Sequence, residues 1–282
     1  MHVFYRKGDL VSFLEGAREK NLSIGLVPTM GALHKGHLSL VEKALEQNDR
    51  VVVSIFVNPT QFDKKDDLEK YPRDLKGDLD LLERFSDRLA IFSPTVEEMY
   101  AGNVRAESYD FDGLDQVMEG AFRSGHFDGV GTVVERLLRT VDPHRAYFGE
   151  KDFQQLQIIR KMVELKGLPH TIIGCPIARE ANGLAMSSRN ERLDPATKEE
   201  AGVIHASLQL AKAKFGMESV QYIKERVRQA IGEHPGFVLE YFEMADEADL
   251  LPLDTIVQGR AYRAFIAVYA DGVRLIDNLR LN

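Results

Sequence analysis

A chain of 282 residues with 44 acidic against 36 basic side chains and a net charge of -8 lacks the basic surface that nucleic-acid binding draws on, so an anionic ligand must be met by positive groups placed locally. With 44% hydrophobic and 28% charged residues, it has the make-up of a soluble globular protein, long enough for a sizeable core and two domains. The single cysteine, Cys175, excludes an internal disulfide and fits a reducing cytoplasm; residues 1–14 lack a signal-peptide core and no apolar run approaches a membrane span.

Taken in chain order, Ile24 to Val27 reads as a buried strand that passes through Pro28-Thr29-Met30-Gly31 into Leu38, Val41 and Leu45, spaced as on one helix face. His34 and His37 therefore stand where a strand becomes a helix. The unsatisfied N–H groups and the dipole of a first helical turn favour phosphate there, and Gly36 leaves room for a flat ligand against the backbone. Arg50 to Val57 is a β-branched run, expected as a strand buried on both faces and stopped by Pro59, with Asn58 and Gln61 at its C-terminal edge. A polar loop over residues 63–70 leads through Tyr71-Pro72-Arg73-Asp74 to a helix carrying Leu75, Leu79, Leu82 and Phe85, and Leu89 to Phe92 is a short strand.

Residues 93–129 read as an extended loop over the site, with His126 either near substrate or an exposed loop histidine. Val130, Val133, Val134, Leu137, Leu138 and Val141 predict an amphipathic helix closed by Pro143. Arg145 to Phe148 is a strand followed by Gly149-Glu150-Lys151-Asp152 and a helix with Gln154 and Gln155 in its first turn, and Thr171 to Ile173 is another strand. This alternation predicts an α/β domain with a doubly wound, Rossmann-like parallel sheet over residues 1–184. Residues 185–282 predict a smaller α+β domain: helices over 196–215 and 218–231, a strand over 238–244, and a hairpin of 264–270 with 273–276 around Asp271-Gly272.

Four polar clusters fall at strand-to-helix ends or in the boundary loop: His34/His37, Asn58/Gln61, Lys151/Asp152/Gln155 and Ser187/Ser188/Arg189. Together they offer donors to a polyphosphate in an otherwise acidic protein. Singly, Ser187-Ser188 is an ordinary turn and Lys151-Asp152 a surface ion pair. The chain has no P-loop and no nucleophile elbow, and one cysteine with scattered histidines argues against structural zinc.

The ordered motifs Pro28-Thr29-Met30-Gly31, His34-x-Gly36-His37, Ser54-Ile55-Phe56-Val57-Asn58-Pro59-x-Gln61-Phe62, Tyr71-Pro72-Arg73, Gly125-His126-Phe127-x-Gly129-Val130, Phe148-Gly149-Glu150-Lys151-Asp152-x-Gln154-Gln155-Leu156 and Met186-Ser187-Ser188-Arg189-Asn190 resemble those of the pantothenate synthetase family, within the nucleotidylyltransferase superfamily marked by His-x-Gly-His. The resemblance implies ATP-dependent joining of pantoate to β-alanine through a pantoyl-adenylate, with release of AMP and pyrophosphate. It implies ATP contacts at Met30, Gly31, Ala32, Leu33, His34, Lys35, Gly36, His37, Gly149, Glu150, Lys151, Asp152, Ala178, Met186, Ser187, Ser188 and Arg189. Gln61 and Gln155, with Asn58 and Arg123, correspond to pantoate and β-alanine contacts. His37, His34 and Lys151 are the catalytic candidates. His37 matches a position described as a proton donor, although displacement at phosphorus needs charge stabilisation more than acid catalysis. Mg2+ is expected with ATP, with Asp78 as the candidate metal contact and Gly77 standing where relatives are acidic.

The family further implies a homodimer, while the acidic balance, the single cysteine and the lack of a long apolar run point to a cytoplasmic protein with no nucleic-acid or membrane partner; the Gly-rich stretch between regular elements suggests that the second domain and residues 123–127 close over the acyl-adenylate. The rival readings are a nucleotidylyltransferase acting on a phosphorylated acceptor, disfavoured by the Gln61/Gln155 pair, and a non-catalytic ATP-binding module.

Overall fold

The computed structural model describes residues 1–62 and 65–282. In chain order the elements are β1 (His2–Phe4), α1 (Lys7–Arg18), β2 (Ile24–Thr29), α2 (Lys35–Gln47), β3 (Arg50–Ile55), α3 (Lys65–Lys70), α4 (Leu75–Leu82), β4 (Leu89–Phe92), α5 (Val96–Tyr100), α6 (Met118–Phe122), α7 (His126–Val141), β5 (Arg145–Gly149), α8 (Phe153–Leu165) and β6 (Thr171–Cys175). Then follow α9 (Pro195–Glu200), α10 (Gly202–Lys214), α11 (Val220–Gly232), β7 (Phe237–Asp246), β8 (Tyr262–Ala270) and β9 (Val273–Arg280). Two compact units result: Met1–Asp115, Glu119–Glu150 and Gln155–Pro176 form the first, and Gln116–Met118, Lys151–Gln154 and Ile177–Asn282 the second.

The first unit is built on a six-stranded sheet in the order β1-β4-β3-β2-β5-β6, with parallel pairing throughout. The expected doubly wound α/β architecture is therefore present. The order reverses between β2 and β5, whose pairing sets Gly25 against Arg145 and Leu26 against Ala146. Ligands in such sheets bind beyond the carboxyl ends of the strands at that reversal, where Met30 follows β2 and Glu150 follows β5. The β-branched run forms the interior strand β3, and Val51, Val52 and Val53 are wholly buried, as a strand covered on both faces requires. On α2, Leu38, Leu40, Val41 and Ala44 are buried and join the core formed with Val27, Val53 and Ile91.

Two expectations need correction. Residues 93–129 are not one extended loop: α5 and α6 lie within them, and α7 starts at His126 rather than Val130. The stretch is anchored by irregularly spaced apolar groups, Met99, Tyr100, Phe111 and Leu114, all buried, and by Tyr109, whose ring stacks on Phe111 and whose hydroxyl donates to Glu135 at 2.8 Å. Anchors without a period give no helical or strand signal. Of the polar loop expected over 63–70, residues 65–70 form α3, while 63 and 64 lie outside the described residues. The sequence reading also passed over β1 and α1.

The second unit contains the antiparallel sheet β7-β8-β9 and the helices α9 to α11, the smaller α+β arrangement expected for the C-terminal part. Its core includes Ile204, Leu208, Ile223, Val227, Met244, Ile266 and Leu275. The hairpin of β8 and β9 turns at Asp271 and Gly272, both at positive φ (45° and 78°), the backbone that a two-residue Asp-Gly turn supplies. The chain enters this unit directly after β6, where Arg179 bridges to Ala185 and the Met186 N–H donates to the Ala178 carbonyl at 2.9 Å. Among the described residues no helix is long and apolar enough to cross a membrane.

Candidate active site

The junction after β2 is a tightly specified turn. Gly31 and Ala32 both take left-handed backbone, φ 82° and 50°, a cost for alanine that must be offset by what holds it. Asp78 on α4 does the holding. It is buried, and its two carboxylate oxygens accept from the Ala32 N–H at 3.1 Å and the Leu33 N–H at 2.6 Å. A Cβ on Gly31 would meet the same carboxylate at 3.0 Å and Ile55 at 3.2 Å. Burial raises the Asp78 pKa above the ordinary aspartate value, outweighing the downward pull of the two N–H bonds. Thr29 completes the turn, donating to the Ser54 carbonyl at 2.7 Å and accepting from the Gly31 N–H at 3.3 Å.

His34 is the N-cap of α2: its Nδ1 accepts from the Gly36 N–H at 3.1 Å, while the His34 N–H donates to Nδ1 of His37 at 3.3 Å. The rings lie 4.1 Å apart between centroids. An imidazole nitrogen that accepts a backbone N–H carries no proton, so each neutral ring keeps its proton on Nε2. The turn thus orients two imidazoles as N–H donors at a helix N-terminus, an arrangement suited to anionic oxygens.

The cluster after β3 joins this turn through Met30. Gln61 Nε2 lies 3.0 Å from the Met30 sulfur, and Gln61 Oε1 accepts from Asn58 Nδ2 at 3.1 Å. Asn58 is almost wholly buried and its amide is committed within the protein: Nδ2 also donates to the Gly129 carbonyl at 3.1 Å, and Oδ1 accepts from the Tyr100 hydroxyl at 2.5 Å. Desolvation raises the Tyr100 pKa, keeping that donor protonated. Gly129 is required by close approach, because a Cβ there would lie 2.2 Å from the Thr60 carbonyl oxygen. The backbone carbonyl of Gln61 is met by His126 Nδ1 at 2.7 Å and Arg123 Nη2 at 3.4 Å, and Arg123 Nη1 lies 3.1 Å from His126 Nε2. Arginine only donates, so His126 Nε2 accepts and Nδ1–H donates to Gln61. His126 is consequently a buried first residue of α7, not an exposed loop histidine, and it supports Gln61 and Arg123.

In the second unit, Gly183 closes the 178–186 turn at φ 93°, and Arg179 fastens it with a two-pronged contact to Asp277 at 2.6 and 3.0 Å. Met186 leads into Ser187, whose hydroxyl caps the short 3-10 turn Ser188–Arg192 by accepting from the Arg189 N–H at 3.2 Å. Asn190, buried beneath, donates to the Ala185 carbonyl at 3.0 Å. Lys151 lies in another 3-10 turn, Glu150–Asp152. Its side chain is half-buried, with Nζ 3.6 Å from the carboxylate of Asp152, which is itself exposed. Asn278 donates to the Lys151 carbonyl at 2.8 Å.

The first unit therefore brings Met30 to His37, Asp78, Asn58, Gln61, Arg123 and His126 into one connected network. Gln155 is half-buried in the first turn of α8, Gly149 ends β5, and Glu150 opens the 3-10 turn that follows it. The second unit pairs Ala178 with Met186 and forms the Ser187–Arg189 turn, with Lys151 and Asp152 in a separate segment. Sequence reasoning missed Tyr100, the turn-closing bonds of Thr29, Gly129 as a contact, and the Arg179–Asp277 and Asn278–Lys151 bonds; the motifs Pro28-Thr29-Met30-Gly31 and Gly125-His126-Phe127-x-Gly129 marked Thr29 and Gly129 but not their contacts. Among the described residues no group of three or more His, Cys, Asp or Glu side chains is arranged to hold a metal, and both Asp78 oxygens are engaged by backbone N–H groups. Cys175 is buried and its thiol is pushed up to about 11, mainly by desolvation, so it is no nucleophile at neutral pH.

A doubly wound sheet with a His-x-Gly-His turn at the strand-order reversal defines an α/β protein with a helix N-terminus built to meet an anion. The profile of pantoate–β-alanine ligase matches residues 2–280, and the chain belongs to that family and is a ligase. It is 53% identical over 282 residues to the pantothenate synthetase of Christiangramia forsetii, covering all of both chains, and 45% identical over 282 residues to that of Aquifex aeolicus, covering 99% of this chain and 98% of the relative. The crystal structure of pantothenate synthetase from Thermus thermophilus is similar with a TM-score of 0.90 at 42% identity, covering 100% of this chain and 99% of that one. Pantoate–β-alanine ligase from Francisella tularensis, solved in complex with beta-gamma ATP and beta-alanine, is similar with a TM-score of 0.81 at 34% identity, covering 100% and 98%.

Proposed function

We propose that this chain condenses pantoate with β-alanine at the expense of ATP, releasing pantothenate, AMP and pyrophosphate through a pantoyl-adenylate. The observation that carries the reading is the turn after β2, where two imidazoles, each held through Nδ1 by a backbone N–H, cap a helix at the strand-order reversal and adjoin Gln61 through Met30. A carboxylate does not acylate an amine at neutral pH. In the first step a pantoate carboxylate oxygen attacks the α-phosphorus of ATP and the P–O bond to pyrophosphate breaks. In the second the β-alanine nitrogen, having lost its ammonium proton, attacks the activated carbonyl; the C–O bond to AMP breaks as the C–N bond forms.

Negative charge builds on the triphosphate oxygens in the first step, and donors aimed at them lower its barrier. We assign His34 and His37 to this role through their Nε2–H groups, with Lys151, Ser187, Ser188 and Arg189 as further phosphate contacts. Gln61 and Gln155 are assigned to pantoate's hydroxyls and carboxylate, with Arg123 beside them, and Asn58 acts behind Gln61. Magnesium enters with the nucleotide as Mg-ATP, carried by phosphate oxygens and water as is usual for this ion. The proposed division of labour gives ATP and pantoate binding to residues 1–184 and a completing role to residues 185–282. A cytoplasmic homodimer belongs to the same reading, and one buried thiol suits a reducing compartment.

The test is AMP release from Mg-ATP with both substrates and with each omitted, together with ATP–pyrophosphate exchange. The reading requires AMP only when both are present, and exchange that depends on pantoate in the absence of β-alanine. ATP binding without either reaction would overturn it.

A further inference from the structure

Lys151 follows the end of β5 by two residues, yet Lys151–Gln154 packs with the second unit. The contacts responsible come from two strands of that unit's sheet. Asn278 on β9 is almost wholly buried; its Nδ2 donates to the Lys151 carbonyl at 2.8 Å and its Oδ1 accepts from Arg263 Nη1 at 2.6 Å. Only one orientation of the amide meets both a carbonyl and a guanidinium, so the side chain cannot flip without losing both bonds. Arg263, on β8 and also buried, donates from Nε to Glu247 at 2.8 Å. Its guanidinium lies over the Phe153 ring, 3.9 Å from the centroid. The segment is thus held at Lys151 by a hydrogen bond to the main chain and two residues later by a cation stacked on a buried ring.

We infer that Asn278, set by Arg263 and Glu247, is a positioning residue for Lys151. It makes this lysine's backbone part of the second unit's sheet rather than a loose continuation of β5. The inference rests on the reading of Lys151 as a phosphate contact. A lysine side chain has four rotatable bonds, and its ammonium reaches a transferring phosphate with the right geometry only if its main chain is fixed. A displacement of about 1 Å is enough to cost about 10²-fold in rate. Buried polar groups with every partner satisfied, as here, hold one geometry to the exclusion of others.

Asn278→Asp, compared with and combined with K151A, isolates positioning. The carboxylate is nearly the same size and still accepts from Arg263, but it has no N–H for the Lys151 carbonyl. Pantoate-dependent ATP–pyrophosphate exchange and the KM for ATP are measured for the wild type, N278D, K151A and the double variant, with Tm recorded for each. The expected result is a rate loss of about 10- to 100-fold in N278D, a lowered Tm with the chain still folded because the Lys151 carbonyl loses its donor, and no further rate loss when N278D is added to K151A, because a residue acting through Lys151 has nothing left to position. Should N278D not fold, Arg263→Lys replaces it in the same cycle, keeping the buried charge but not the planar group that reaches Glu247 and Asn278 together. If K151A alone stays within threefold of wild type, the assignment of Lys151 to phosphate is wrong. If K151A is impaired but N278D is not, or if the two losses multiply, the positioning role is overturned while the assignment of Lys151 stands.

Discussion

The two units present their candidate phosphate-handling groups by different means. In the first, His34 and His37 are delivered by a turn whose parts are mostly adjacent in the chain: a strand end, two left-handed residues, and an N-cap that is itself one of the two candidate histidines. In the second, Lys151 is fixed by a hydrogen bond spanning 127 positions, and Arg179 by one spanning 98. A site built from neighbours can be read from spacing, and a site built by distant strands cannot. The same difference predicts that damage at the histidine turn is direct, whereas damage around Lys151 is transmitted.

The largest expected effect is at the turn. His37→Ala removes the proposed donor to developing charge and is expected to slow pyrophosphate exchange by about 10²- to 10³-fold, with a modest Tm loss from the cap bond to the His34 N–H; a rate loss below threefold would take His37 out of the mechanism. Asp78 sharpens the comparison, being the one distant group on which the local turn depends. Asp78→Ala leaves two backbone N–H groups without their acceptor, at about 1–3 kcal/mol for each that stays buried, so stability by urea denaturation and exchange rate should fall together.

The Asp78 carboxylate also makes a prediction about pH. Its folded pKa is raised, so the native state binds this proton more tightly than the unfolded chain does. The stability linked to it is fully present below the ordinary aspartate value and lost as pH rises through the raised one. Asp78→Asn lacks this dependence. Its Tm measured against that of the wild type should therefore shift in the variant's favour as pH climbs through that window, and parallel curves would contradict the account. Smaller again is Gly129→Ala. The added methyl meets the Thr60 carbonyl and should push α7 from the Asn58–Gln61 turn at about 1–3 kcal/mol of overpacking, seen as a raised KM for pantoate with KM for ATP little changed.

Much of the fold was legible because its signals are local and periodic: the β-branched run of β3, the apolar stripe of α7, and Asp271-Gly272 between β8 and β9. Residues 93–129 were not, because Met99, Tyr100, Phe111 and Leu114 anchor them without a period. At the site, His34, His37 and Gln61 could be singled out from motif and position. The connections of Asp78, 45 positions from Leu33, could not, and neither could the burial of His126, which depends on where α7 begins. Nothing in the sequence around Asn278 tells of this role: an asparagine late in a strand becomes informative about Lys151 only when the carbonyl opposite it belongs to that lysine.

The central claim is that pantoate is activated as an acyl-adenylate, and oxygen transfer tests it most directly. Pantoate labelled with oxygen-18 in both carboxylate positions is turned over with Mg-ATP and β-alanine, and the products are weighed by mass spectrometry. The account predicts one labelled oxygen in AMP and one retained in pantothenate, because the carboxylate oxygen that attacks phosphorus leaves with it. Unlabelled AMP would contradict it.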